Sequence, residues 1–313
     1  MGRRRASELI SGVLNSAVWL DIDAIVDPAL LCRDGAGTGE VMKLKLTIEY
    51  AGTRYSGWQI QTNARTVQGE LERAVRTATG INDFEIYGAG RTDAGVHALA
   101  QVAHLDVSSN LPPDTLRRRI NDALPADIVV LRVERVRHRF HARHDAVARS
   151  YLYQVARRRT AFAKPFVWWV KEDLSVPAMR DAAQAFVGFH DFRAFSDDEP
   201  GEKSTEVLVD AFDIYEDEDL ILFHIEGSHF IWKMVRRMVG VLVEVGRGGF
   251  APGDVEKLLA SDSGGVARLT APASGLFLER VYYAGDPRDV PVRSVVTLRH
   301  LNGHGDDPPS HRG

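Results

Sequence analysis

A chain of 313 residues with 44% hydrophobic and 26% charged residues has room for two domains, each with its own core, and contains no apolar run long enough for a membrane helix. The single cysteine, Cys32, excludes an intramolecular disulfide and a cysteine-based metal cluster, and it suits a reducing cytoplasm. The net charge of −4 weighs against a nucleic-acid partner, yet it averages over a segregated pattern: nine arginines lie between Arg132 and Arg159, opposed only by Glu134 and Asp145, while eleven acids accompany Lys203 alone between Asp197 and Asp219. An acidic body can carry a positive groove, and the groove is what a phosphate backbone senses. A solvated basic face without a partner is the alternative reading of the same arginines.

The amino terminus combines Arg3, Arg4 and Arg5 with an apolar stretch that Ser11, Asn15 and Ser16 interrupt, which makes a poor secretory signal. Residues 1–42 are expected to be a flexible extension. Regular patterning begins at once after it. Leu44, Leu46, Ile48 and Tyr50 alternate with polar residues over 43–50, the pattern of a half-buried strand. Thr66 is placed to cap a helix whose apolar face is Val67, Leu71, Val75 and Ala78 and which Gly80 stops. A short strand over 84–88, a glycine-rich loop and a strand around 98–107 follow. Pro112 and Pro113 open a second helix carrying Leu116, Ile120 and Leu124, and a strand over 128–136 closes the unit.

This β-α-β-β-α-β order is the split ferredoxin-like arrangement. The second half repeats it in architecture: a strand near 149–156, a helix capped by Ser175 and ended by Gly188, strands over 206–215 and 220–226, an apolar helix over 230–245 and a last strand over 276–283. The expectation is an α+β protein of two ferredoxin-like halves, 43–147 and 148–285, with mostly antiparallel sheets around a central cleft. Residues 286–313, rich in Pro, Arg, Gly, His and Asp, are expected to form a mobile tail.

Chemistry concentrates in Gly88-Ala89-Gly90-Arg91-Thr92-Asp93-Ala94-Gly95-Val96-His97. Its glycines permit a tight turn and close approach of a ligand. A dinucleotide fingerprint would need glycine where Asp93 stands, and a phosphate-binding P-loop would need a Lys-Ser or Lys-Thr pair. What remains is a carboxylate on a tight loop, two residues after an arginine whose charge would keep it ionised, as a nucleophile or base requires. An Asx-type turn, in which Asp93 only caps backbone amides, is the competing structural reading.

The run GAGRTDAGVHALAQVAH resembles the signature of the TruA family of tRNA pseudouridine synthases, and the similarity extends from about Lys43 to Tyr283. It includes Tyr50, Gly52, Tyr55 and Gly57-Trp58-Gln59, then Thr66-Val67-Gln68-Gly69-Glu70-Leu71, Phe140-His141-Ala142-Arg143 and Arg149-Ser150-Tyr151-Leu152-Tyr153. Phe230 with Met234-Val235-Arg236-Arg237, and Ala271-Pro272-Ala273-Ser274-Gly275-Leu276, complete it. The resemblance implies that Asp93 is the catalytic aspartate, attacking or deprotonating the ribose or base. It implies that Arg91 helps the target nucleotide leave the stack and contacts its phosphate, and that Tyr151 packs on the flipped uracil. Arg236 would pair with Asp93, and Leu276 would close the pocket on its apolar side.

The implied activity is isomerisation of uridine to pseudouridine at nucleotides 38 to 40 of the tRNA anticodon stem and loop, by a cytoplasmic homodimer. The reaction changes no redox state and calls for no cofactor, and the sequence supplies no motif for a metal or nucleotide. Another RNA specificity, or a non-catalytic RNA-binding module on the same scaffold, are the rival readings. His97, His104, His138, His141 and His144 lack the helical spacing and partner carboxylates of a metal site and read as structural. Trp168, Trp169 and Trp232 read as core or domain contacts, and Phe192 and Phe195 as either core or RNA-facing. The acids Asp197, Asp198 and Glu199 place any RNA contact from their loop in question.

Overall fold

The computed structural model describes residues 41–197, 204–261 and 264–299. The expected extension, apart from its last two residues, together with Asp198, Glu199 and the end of the expected tail, lies outside these described residues. The first half runs β1 (Met42–Tyr50), α1 (Val67–Thr79), β2 (Phe84–Gly88), β3 (His97–Val107), α2 (Pro113–Ala123) and β4 (Ile128–Arg135). The second runs β5 (Ala146–Ala156), β6 (Trp168–Trp169), α3 (Val176–Ala183), β7 (Gly188–Asp191), β8 (Glu206–Asp217) and β9 (Leu220–Gly227). It ends with α4 (Met234–Gly246), α5 (Asp254–Leu259) and β10 (Leu276–Tyr283).

All these strands join one ten-stranded sheet in the order β4-β1-β3-β10-β5-β9-β8-β7, with β2 beside β3 and β6 beside β5. Its pairings are antiparallel except for two short contacts, β10 with β3 and β5 with β6. The protein is therefore a mixed α+β fold on a large, mostly antiparallel sheet. Along one edge of β3, β2 covers Ala103 to Val107, and β10 takes up the same edge at His97 and Ala98. The second half thus meets the first where the glycine-rich loop enters β3.

Local chemistry accounts for the elements. The Thr66 hydroxyl accepts from the Gly69 amide and Gly80 closes α1 at φ 71°, a cap and a stop of the expected kinds. One face of α1 buries Val67, Leu71, Ala74, Val75 and Ala78 against β1, β3 and α2 in one apolar cluster. A second cluster gathers α3 and α4 over Tyr153, Phe212, Phe223 and Ile225. Phe192 and Phe195 are wholly buried in it, which makes them core residues.

Four expectations need correction. Helix α3 ends at Ala183 in a single tight turn, and Gly188, at φ 113°, opens β7 against β8 instead of ending the helix. Helix α4 starts at Met234, because Lys233 adopts the left-handed conformation at φ 63° and breaks the apolar pattern that begins at Phe230. Residues 286–299 are not a free tail: Leu298 is buried, its carbonyl accepts from the Asp219 amide (3.2 Å), and the Val295 amide donates to Gln154 Oε1 (2.7 Å). The apolar side chains of Val292, Val296 and Leu298, diluted in a polar composition, cover the face of β5 that α3 and α4 leave open. Trp232 is not a core residue, being 49% exposed, and Trp169 is 37% exposed.

Candidate active site

The loop from Ala89 to Val96 is pinned at both ends and in its middle. The Ala89 amide donates to Val102 O (2.7 Å) and Gln101 Nε2 donates to Gly90 O (3.1 Å). The Trp58 amide donates to Thr92 O (3.1 Å), and the Tyr50 and Thr92 hydroxyls share a buried hydrogen bond of 2.8 Å. Past the aspartate, the Val96 amide returns to Asp93 O (3.1 Å) and the Gly95 amide reaches Tyr55 O (3.3 Å). Gly57, at φ 90°, lets this segment pass so close that a Cβ would sit 2.5 Å from Thr92 O. The backbone is held by strands and core, which leaves the Asp93 side chain, 28% exposed, to face a cavity.

That cavity, about 880 Å³, is lined by all five site residues expected from the sequence: Arg91, Asp93, Tyr151, Arg236 and Leu276. Arg236, in the first turn of α4, brings Nη1 to 3.6 Å from Asp93 Oδ2. Its orientation is fixed from behind, since Nε donates to Ala271 O (2.7 Å) and the Ala271 amide donates to Arg236 O (3.0 Å). Gly240, one turn on, packs so tightly on this strap that a Cβ would lie 1.6 Å from Leu269 O. Leu276, 5% exposed, begins β10 opposite Tyr153.

Tyr151 stands on β5 between Leu278 and Ile225 and packs against both apolar clusters, with its ring edge-on to Phe230 at 5.1 Å. Burial, helped by the nearby Asp93 charge and opposed by Arg149, pushes its phenol up to about 12. At neutral pH it is a protonated ring, suited to stacking and to donating a hydrogen bond. Arg91 is exposed at the cavity lining.

Arg149 enters the sequence reading only as part of a motif, yet it belongs to the site. It lies two residues before Tyr151 on β5, and that period of two is the signal that could have found it. Its guanidinium donates to Ser228 O (2.8 Å), Ala89 O (3.1 Å) and Arg143 O (3.0 Å), joining the loop before Asp93 to the loop after β9. Burial lowers its pKa. Lys233 and Trp232 also line the cavity, with the ammonium 4.7 Å from the indole centre and 2.6 Å from Asp197. Asp197 also pairs with Arg237, so this member of the acidic loop is neutralised by cations of α4 and its N-terminal flank.

The histidines have structural partners. His97 Nδ1 accepts from the Gly52 amide (3.0 Å) and its Nε2 bonds Pro165 O (3.0 Å). His104 Nδ1 accepts from the Ala142 amide (3.1 Å). The basic stretch divides: Arg157 pairs with Glu216 and Arg158 with Asp219, while Arg137, Arg139 and Arg143 are exposed.

The profile of a family described as tRNA pseudouridine synthase matches residues 46–145 and 182–284. The chain is 43% identical to a tRNA pseudouridine synthase A of Nitrobacter winogradskyi over 254 residues, 80% of this chain and 98% of that protein. It is 43% identical over 244 residues to the enzyme of that name from Rhodopseudomonas palustris, covering 77% and 99% of the two chains. A tRNA pseudouridine synthase A 2 of Clostridium tetani is 36% identical over 244 residues, covering 77% and 98%. With the loop, the cavity and these similarities together, the chain belongs to the tRNA pseudouridine synthase family and is an isomerase of that class.

Proposed function

We propose that this protein converts uridine to pseudouridine at nucleotides 38 to 40 of the tRNA anticodon stem and loop, with Asp93 as the catalytic carboxylate. It works without a cofactor, in the cytoplasm, as a homodimer. The observation that carries the reading is the Asp93 carboxylate on a pinned loop, 3.6 Å from Arg236, in a cavity that Tyr151 and Leu276 also line. The strand orders β4-β1-β3-β2 and β10-β5-β9-β8 support two ferredoxin-like halves.

The chemistry fits these groups. The target must leave the helical stack before any group reaches its glycosidic bond, and the exposed Arg91 is positioned to hold its phosphate. Asp93 either attacks C1′ as the N1–C1′ bond breaks, or removes a ribose proton so that uracil departs as an anion. In both routes C5 then bonds C1′, as the Asp93–C1′ ester bond breaks in the first or the ribose proton is returned in the second; the C5 proton is then lost and N1 gains one. Arg236 keeps the carboxylate aimed. Tyr151, protonated, offers a face on which the detached uracil can stack and turn.

The test is a map of pseudouridine in tRNA from cells with and without this protein. Loss at nucleotides 38 to 40, restored by the wild-type chain and not by Asp93→Ala, is the expected result. An unchanged map would overturn the proposal.

A further inference from the structure

Beside the active cavity lies a second one of about 380 Å³, and the two share Gln59, Gly90, Arg91 and Arg143 as a common wall. We propose that it is a second nucleotide subsite, which holds a nucleotide of the same RNA strand that neighbours the flipped target, its base stacked on Tyr87. The proposal rests on the RNA-modifying reading above.

Tyr87 sits on β2, where Ile86 turns into the core and Tyr87, 51% exposed, turns outward. An exposed tyrosine on a strand is unremarkable by itself. Here its ring is preset: it stacks on its cross-strand neighbour His104, centroids 5.4 Å apart and planes at 15°, with His141 beside it at 5.9 Å. His104 is itself fixed by the Ala142 amide, so the phenol lies flat without needing RNA to order it. One aromatic face is covered by a buried histidine, and the ring belongs to a cavity of the size that takes a small ligand.

Charge divides this cavity in a way that suits a nucleotide. Arg91 and Arg143, both exposed, are cations of the shared wall, where a phosphate between the two cavities would lie. Glu85, exposed, lines the same cavity and offers its carboxylate to the edge of a base, while Glu72 in the same lining is paired with Arg76 and Gln68 is turned to Ile86 O and Glu72. A phosphate at the Glu85 carboxylate would be repelled, so the polarity of the site sets backbone toward the arginines and base toward this acid. Gly90 lies in the dividing wall, and a Cβ there would meet nothing within 4 Å, which leaves room for a strand to cross. A base bearing an amino group is favoured, because an ionised Glu85 can only accept hydrogen bonds.

The experiment measures binding of an anticodon stem-loop RNA to the full chain and to Tyr87→Ala and Tyr87→Trp. The RNA is used intact and with a single abasic site at each nucleotide flanking the target. Tyr87→Ala is expected to weaken binding by about 5- to 150-fold, the range of one lost stacking contact, with Tyr87→Trp within about threefold of wild type. One abasic position should weaken the wild type comparably and the Ala variant no further. Single-turnover isomerisation at saturating protein should change less than about threefold in Tyr87→Ala, because the ring acts in binding. Equal affinity of wild type and Tyr87→Ala, or additive losses at every abasic position, would overturn the subsite. Normal turnover with unaltered binding in Tyr87→Ala removes the subsite alone. A wild type that binds with the expected pattern but forms no pseudouridine removes the activity and leaves the subsite.

Discussion

Arg236 holds Asp93 across the junction of the two halves: the arginine comes from α4 and the aspartate from the loop before β3, with 3.6 Å between Nη1 and Oδ2. The pair is partly exposed, at 16% and 28% of the respective side chains, so solvent screens it and a fully buried ion pair is the wrong yardstick. Arg236→Ala should therefore cost about 1–2 kcal/mol of stability, between the exposed and buried cases. It also leaves Ala271 O without its side-chain donor. Turnover should fall by a larger factor than stability. A melting curve and a single-turnover assay on the same preparation check this, and an unchanged rate would show that the guanidinium does not orient the carboxylate.

Asp93→Asn keeps the side-chain shape and removes the negative charge. Because the loop is held by backbone bonds at Ala89, Thr92, Gly95 and Val96, the variant should fold and retain tRNA binding within about tenfold, or roughly 1.4 kcal/mol. Pseudouridine formation should be abolished in both Asp93→Asn and Asp93→Ala. Near-normal turnover in either would reduce the carboxylate to a turn-capping role.

His104 makes stability depend on pH. Burial, together with the positive charges of Lys43 and His141, lowers its pKa from 6.5 to about 4, and its Nδ1 is already committed as an acceptor from the Ala142 amide. The unfolded chain therefore binds the proton more readily than the folded one between about pH 6.5 and 4, so this contribution is present above that window and lost as pH falls through it. After a discount for solvent screening its full size is about 1–2 kcal/mol. Urea unfolding at about pH 7 and about pH 5 should show part of the loss in wild type, and His104→Gln should show a smaller difference between the two. Equal losses in the two proteins would place the pH dependence elsewhere.

RNA affinity should fall with salt, but less than a count of arginines in the basic stretch suggests. Arg157 and Arg158 are occupied by Glu216 and Asp219, whereas Arg91, Arg137, Arg139 and Arg143 are exposed. Four phosphate contacts give a slope of log K against log salt of about −3 to −4. Reversal of one exposed charge, as in Arg139→Glu, should reduce the magnitude of the slope by about one or more. A slope near zero would refute a phosphate-binding groove.

Alternation and capping carry most of the elements. The period of two over 43–50 and the Thr66 and Gly80 caps are local signals, decided by residues within a turn or a strand of one another, and the structure reproduces them. The glycine-flanked Asp93 motif is equally local, which is why the loop and its family can be read from the chain. Lys233 marks the limit: its left-handed backbone and its ion pair with Asp197 are set by the fold around it, so the apolar pattern places the start of α4 several residues too early.

What the sequence alone determined is the order of the longer strands and helices and the loop that carries Asp93, because these depend on neighbours in the chain; the short β6, β7 and α5 left no such pattern. Only the tertiary structure decided that Arg149 joins the site, that Trp232 lies at its mouth, that 286–299 covers β5, and that a second cavity adjoins the first at Gly90 and Arg91. Each of these depends on which strands share an edge. The junction of β10 with β3 at His97 brings residues some 180 positions apart into register, and no local pattern encodes such a pairing.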